Sequence, residues 1–70
     1  QYADAWYNKG VALGDLGKHD EAIQAYDQAI SINPKLADAW YNKGLALKLL
    51  GRTSEANAAF AKAEELKNAA

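Results

Sequence analysis

The octapeptide ADAWYNKG fills residues 3–10 and returns at residues 37–44, and this repetition constrains the chain more than any other feature. Residues 3–36 laid against residues 37–70 give sixteen identical pairs in thirty-four positions, among them Trp6 with Trp40, Gly10 with Gly44, Leu13 with Leu47, Gly17 with Gly51, Ala22 with Ala56 and Ala29 with Ala63. Self-similarity at a fixed period of roughly 20–50 residues marks a solenoid, in which each unit buries its apolar face only by stacking on a neighbour. Size agrees with this: a chain of 70 residues is one small domain that buries only about 60% of its unfolded surface, so there is little interior in which to hide an active site.

Each frame reads as a helical hairpin. At 100° per residue, Trp6, Gly10, Leu13 and Gly17 share one face of a helix, and Asp4, Tyr7, Asn8, Val11 and Asp15 share the other. Gly17 supplies a left-handed stop, and Asp20 is placed to N-cap a second helix. In that helix Ala22, Ala25, Tyr26, Ala29 and Ile32 form the apolar stripe, while Gln24, Asp27, Gln28 and Ser31 face water. Pro34 ends it, because the residue before a proline is pushed out of helical geometry. The second frame repeats the plan with Gly51 as the break, Ser54 as the cap and Ala56, Ala59, Phe60, Ala63 and Leu66 as the stripe. Four helices are expected, over Ala3–Leu16, Asp20–Asn33, Ala37–Leu50 and Ser54–Lys67, with short turns that force antiparallel neighbours.

The pattern W-x2-L-G-x2-Y, then A-x3-F, then P is matched by Trp6, Lys9, Gly10, Leu13, Ala22, Tyr26 and Pro34, and again by Trp40, Lys43, Gly44, Leu47, Ala56 and Phe60. On these residues the chain resembles the tetratricopeptide repeat family over nearly its whole length. The resemblance implies an all-α fold: an α-solenoid of two helix-turn-helix repeats, residues 3–36 and 37–70, wound as a right-handed superhelix within one domain spanning 1–70. Lys9 and Lys43 stand where the family has Leu, and their alkyl stems are expected to pack while the ammonium groups reach solvent. Asn68 stands where a second Pro belongs.

The two frames also differ. Ile23 and Ile30 flank the first apolar stripe, where the resemblance implies that the next repeat docks, and their counterparts are Asn57 and Glu64. Repeat arrays need a polar outer face at their ends. The other end shows no such replacement: Gln1 and Tyr2 align with the linker residues Lys35 and Leu36, and Tyr2, Ala5 and Ala12 are left as an apolar strip. The expectation is a C-terminal piece of a longer array, with homo-oligomer contacts, where there are any, at the N-terminal edge.

Several function classes lose support. There is no Cys, and a single histidine, His19, lies in a turn with Asp15 and Asp20 nearby, so neither a catalytic triad nor a metal site has its residues. The glycines at 10, 14 and 17 follow no strand and form no phosphate loop. A net charge of −1 provides no field for nucleic acid, and the longest unbroken apolar run, Ala58–Ala61, is far short of the ~20 residues that span a bilayer. No enzyme activity, cofactor, metal, nucleic acid or membrane is expected, and the location is read as cytoplasmic.

What remains is binding of an extended or helical segment of a partner protein, with self-association as a scaffold unit stacking through the uncovered N-terminal edge as the alternative. The resemblance implies a concave groove lined by the first helix of each repeat, and the residues left over once the Trp stripes are buried are Asp4, Tyr7, Asn8, Val11 and Asp15, then Asp38, Tyr41, Asn42, Leu45 and Leu49. Asn8 and Asn42 suit a peptide backbone, Tyr7 and Tyr41 give large contact area at low entropic cost, and Val11, Leu45 and Leu49 make an apolar floor. Asp4, Asp15 and Asp38 favour a ligand with basic residues. The four polar aromatic and amide residues, Tyr7, Asn8, Tyr41 and Asn42, are read as protruding without supporting a helix interface. A clamp for an acidic C-terminus would need basic groups on this face, and the groove has the opposite sign.

Overall fold

A computed structural model describes residues 2–69; Gln1, aligned with the linker, and Ala70, the last position of the second repeat, lie outside the described residues. Four helices follow one another: α1 (Tyr2–Asp15), α2 (His19–Ile32), α3 (Ala37–Leu49) and α4 (Thr53–Asn68), and no strand occurs among the described residues. Helix α1 packs on α2 and α3 on α4 as two hairpins, and α2 packs on α3 to join them. The stack is flat, 33 × 29 × 15 Å, so every helix keeps a face in solvent.

Each hairpin turns on a glycine. Gly17 and Gly51 both have φ of 80°, which a side chain would strain. The Gly17 amide donates to the Gly14 carbonyl at 2.9 Å and the Lys18 amide to the Leu13 carbonyl at 2.9 Å, with the same pair at Gly51 and Arg52. These bonds close the first helix of each hairpin in the 6→1, 5→2 pattern.

Closing so tightly moves the caps. The Lys18 and Arg52 carbonyls accept the first bonds of α2 and α4, from Ala22 and Ala56, so these residues hold the N-cap places and neither makes a side-chain cap bond. The caps expected at Asp20 and Ser54 do not form. Asp20 instead lies in the first turn of α2, where its charge still complements the helix N-terminus. In α4, Glu55 accepts two bonds of 2.8 Å from the Arg52 guanidinium, which holds its carboxyl below the usual carboxylate range.

The core is built from small residues. Ala22, Ala25, Ala29, Ala56, Ala59 and Ala63 are buried, so the helices approach closely and larger rings fill the remaining gaps. A Cβ on Gly10 would stand 2.5 Å from the Tyr26 ring, and one on Gly44 2.6 Å from the Phe60 ring. Ile32 leaves the expected stripe and is 49% exposed at the last position of α2, where the helix gives way to the extended backbone of Asn33. Ile23, expected on the flank, is buried with Ala46, Leu47, Ala56 and Ala59 at the joint between the hairpins. Leu66 and Phe60 are only half-buried.

Candidate functional site

The joint between hairpins organises the exposed face of α1 and α3. Tyr7 leans on Tyr26 with ring centroids 5.9 Å apart, and its hydroxyl accepts a 3.1 Å bond from the Asn42 side-chain amide. Burial first, then the charge of Asp38, push the Tyr7 hydroxyl above its ordinary pKa, and the Asn42 bond opposes them. Tyr26 is likewise raised by burial. Tyr7 and Asn42 therefore support the α1–α3 joint, which departs from the expectation that they only protrude. The correction has a simple physical basis: a residue facing a groove between adjacent repeats also faces the next repeat's helix.

A cleft of about 210 Å³ opens between α1 and α3, with α2 beneath it. Val11, Asp15, Asn42, Leu45 and Leu49 line it, which brings five of the ten sequence-derived candidates together. Gly14, His19, Ala22, Tyr26 and Ala46 complete the lining. Sequence reasoning placed Tyr26 wholly in the core and His19 in a turn. Both enter because α2 forms the cleft's base, a placement that no helix-by-helix periodicity reports.

The other candidates fall elsewhere. Asp4, Asn8 and Asp38 are exposed on α1 and α3 outside the lining of this cleft. Tyr41 is half-exposed, tilts onto Phe60 at 5.4 Å, and lines a separate notch with Ala63, Glu64 and Lys67.

On α3, Tyr41, Leu45 and Leu49 recur at i, i+4 and i+8, and all three are exposed. Their counterparts on α1 are Tyr7, Val11 and Asp15, so the face is apolar along α3 and turns acidic at the end of α1. The cleft offers anchoring but little chemistry. Asp15 and His19 are its only ionisable lining groups besides Tyr26, and it has no serine, threonine or cysteine. Among the described residues, no three His, Cys, Asp or Glu side chains gather as a metal would require. No helix of the described chain is long and apolar enough to cross a membrane.

A stack of helical hairpins with tight glycine turns, small-residue interfaces and an exposed apolar stripe defines a helical-repeat unit. Models of the tetratricopeptide repeat match residues 3–36 and, in a frame set across the joint, residues 25–58. The chain belongs to the tetratricopeptide repeat family. Two crystal structures of MamA superpose on it with TM-scores of 0.92 and 0.88, each at 42% identity over 94% of this chain. The chain spans 39% and 36% of the lengths of those MamA chains. A comparison with curated protein sequences gives no match. Fold and family together make the chain a protein-interaction or scaffold module.

Proposed function

We propose that the α1–α3 face binds a segment of a partner protein, seating apolar side chains in the cleft between Val11, Leu45 and Leu49 and basic side chains near the acidic end of α1. The observation that carries this reading is the exposed stripe Tyr41, Leu45 and Leu49, of which Leu49 is 69% exposed. Apolar side chains at helical spacing on a face with a cleft mark a docking surface more than a solvated one. The cleft's 210 Å³ falls below the roughly 300–1,000 Å³ of small-molecule sites, so it suits anchoring side chains better than a cofactor or metabolite. Asp15 at the rim of the cleft, together with Asp4 and Asp38 exposed in the first turns of α1 and α3, supplies negative potential and so favours a basic segment. Binding, rather than catalysis, is what such a lining supports.

Selection from a random linear peptide library on the 70-residue chain tests the reading. The enriched peptides should share an apolar anchor beside Lys or Arg, and the Leu45→Ser/Leu49→Ser variant should bind them at least about tenfold more weakly with unchanged helical circular dichroism. Peptides that bind the double variant as well as the parent chain, or that lack the apolar anchor, would place the binding face elsewhere.

A further inference from the structure

Four of the five glycines have a structural reason to lack a side chain. Gly10 and Gly44 lie against the rings of Tyr26 and Phe60, and Gly17 and Gly51 hold a positive φ. Gly14 has neither reason. It sits inside α1 without a positive φ, and a Cβ there would meet no atom within 4 Å. A glycine inside a helix is destabilising relative to alanine, so the fold alone gives α1 no use for one at this position. Gly14 does, however, line the α1–α3 cleft. It lies one turn beyond Val11 on the same side of α1, so a side chain at this place would stand in the cleft.

The cleft changes character along its length. Tyr26 and Asn42 make one end polar and uncharged, and the aliphatic walls Val11, Leu45 and Leu49 lead from there to Asp15 and His19, which the tight turn at Gly17 brings back beside α1. The Tyr26 hydroxyl is raised by burial first and, most weakly, by the Asp15 charge, so this carboxylate is felt inside the cleft. Among the described residues, no lysine, arginine or histidine nitrogen lies within ion-pair distance of Asp15. Aliphatic walls that end at an unpaired carboxylate match an unbranched stem tipped by a cation. Lysine and arginine are the side chains built that way.

We propose that the empty side-chain place at Gly14 is the subsite of this cleft for one lysine or arginine of the partner segment, whose stem lies along Val11, Leu45 and Leu49 and whose charged head meets Asp15. The subsite rests on the reading of the α1–α3 face as a site for a partner segment, and within that reading Gly14 is the residue that sets specificity. The second repeat has Lys48 and Leu49 at the places of Gly14 and Asp15, so the subsite occurs once in the chain.

Random linear peptides selected in parallel on the parent chain, Gly14→Ala, Gly14→Leu and Asp15→Lys test the proposal. The parent should enrich Lys or Arg beside the apolar anchor, Gly14→Leu should lose that preference, and Asp15→Lys should exchange it for Asp or Glu. The peptide most enriched on the parent should bind Gly14→Leu at least about tenfold more weakly, and changing its basic residue to Ala should cost nothing further there. Gly14→Ala separates a subsite from a structural role, and it decides the matter if Gly14→Leu loses its helical circular dichroism. It should raise the urea midpoint while weakening the same peptide at least about threefold, opposite movements that a purely structural glycine would not give. Equal affinity of the parent and Gly14→Ala, or an unchanged Lys or Arg preference on Gly14→Leu, overturns the proposal. If Leu45→Ser/Leu49→Ser still removes binding, the subsite alone falls; if that variant is indifferent too, the binding reading of the face falls with it.

Discussion

The Asn42 side-chain amide reaches 3.1 Å across the joint to donate to the Tyr7 hydroxyl, and so links α1 to α3, two helices that otherwise touch over only a short stretch. A part-buried hydrogen bond of this kind contributes about 0.5–1.5 kcal/mol. Tyr7→Phe and Asn42→Ala should each lower the thermal midpoint by several degrees, since ~1 kcal/mol moves a domain of this size by roughly 4–8 °C. The double variant should lose less than the sum of the two. Strict additivity in the cycle would show that the bond contributes nothing of its own.

Two glycines of α1, one turn apart, should respond in opposite directions to alanine. Gly14 has open space where a Cβ would go, so Gly14→Ala removes a helix-interior glycine and should stabilise by about 0.5–1 kcal/mol. At Gly10 the added methyl would meet the ring of Tyr26, which is only 4% exposed and has nowhere to move. Gly10→Ala should therefore cost about 1–3 kcal/mol. Gly44→Ala should cost less than Gly10→Ala, because Phe60 is half-exposed and its ring has room to shift. Urea midpoints of the three variants check the order.

Much of this was legible in the letters, and the exceptions share one cause. The period, the four helices and the stops at Gly17 and Gly51 rest on local chemistry, and no observed boundary differs from the expected one by more than one residue. The caps at Asp20 and Ser54 failed because tight closure of each preceding helix fixes where the next begins. Of the groove residues, Val11, Leu45 and Leu49 follow from helix faces alone. Tyr26 and His19 enter the cleft from α2, and Tyr7 and Asn42 bond to each other, through a packing of helices that single-helix periodicity does not contain. The face of α2 was misjudged at Ile32 but not at Ile23, whose flank position already pointed to the neighbouring repeat.

Adjacent residues Trp40 and Tyr41 should differ in what they contribute to stability. Trp40 packs on the core at the joint, donates from Nε1 to the Pro34 carbonyl at 3.0 Å and carries Lys43 over its ring. Tyr41 has one neighbouring ring, Phe60, and leaves half its surface in water. Trp40→Ala should cost about 3 kcal/mol, the low end for truncating a packed aromatic and a large share of a small domain's stability. Tyr41→Ala should cost clearly less. Equal losses in urea midpoint would mean that the Tyr41–Phe60 contact supports the second hairpin as much as Trp40 supports the joint.

The raised tyrosines give the chain an alkaline limit whose sign can be worked out. Burial favours the neutral phenol of Tyr7 and of Tyr26, so each folded pKa lies above the ordinary 10.0 of the unfolded chain. Below that value both states hold the proton and the contribution is fully present. As pH rises through the window above it, the unfolded chain releases its proton first and stability falls until the folded pKa is passed. The urea midpoint should therefore drop as the pH rises through and above about 10, and the drop should be smaller in Tyr7→Phe and in Tyr26→Phe, which have no phenol to ionise there. Asn42→Ala should enlarge the drop, because it removes the amide that donates to the Tyr7 hydroxyl and lowers its pKa, and leaves burial less opposed. An alkaline loss identical in all four chains would assign it to groups other than this buried pair.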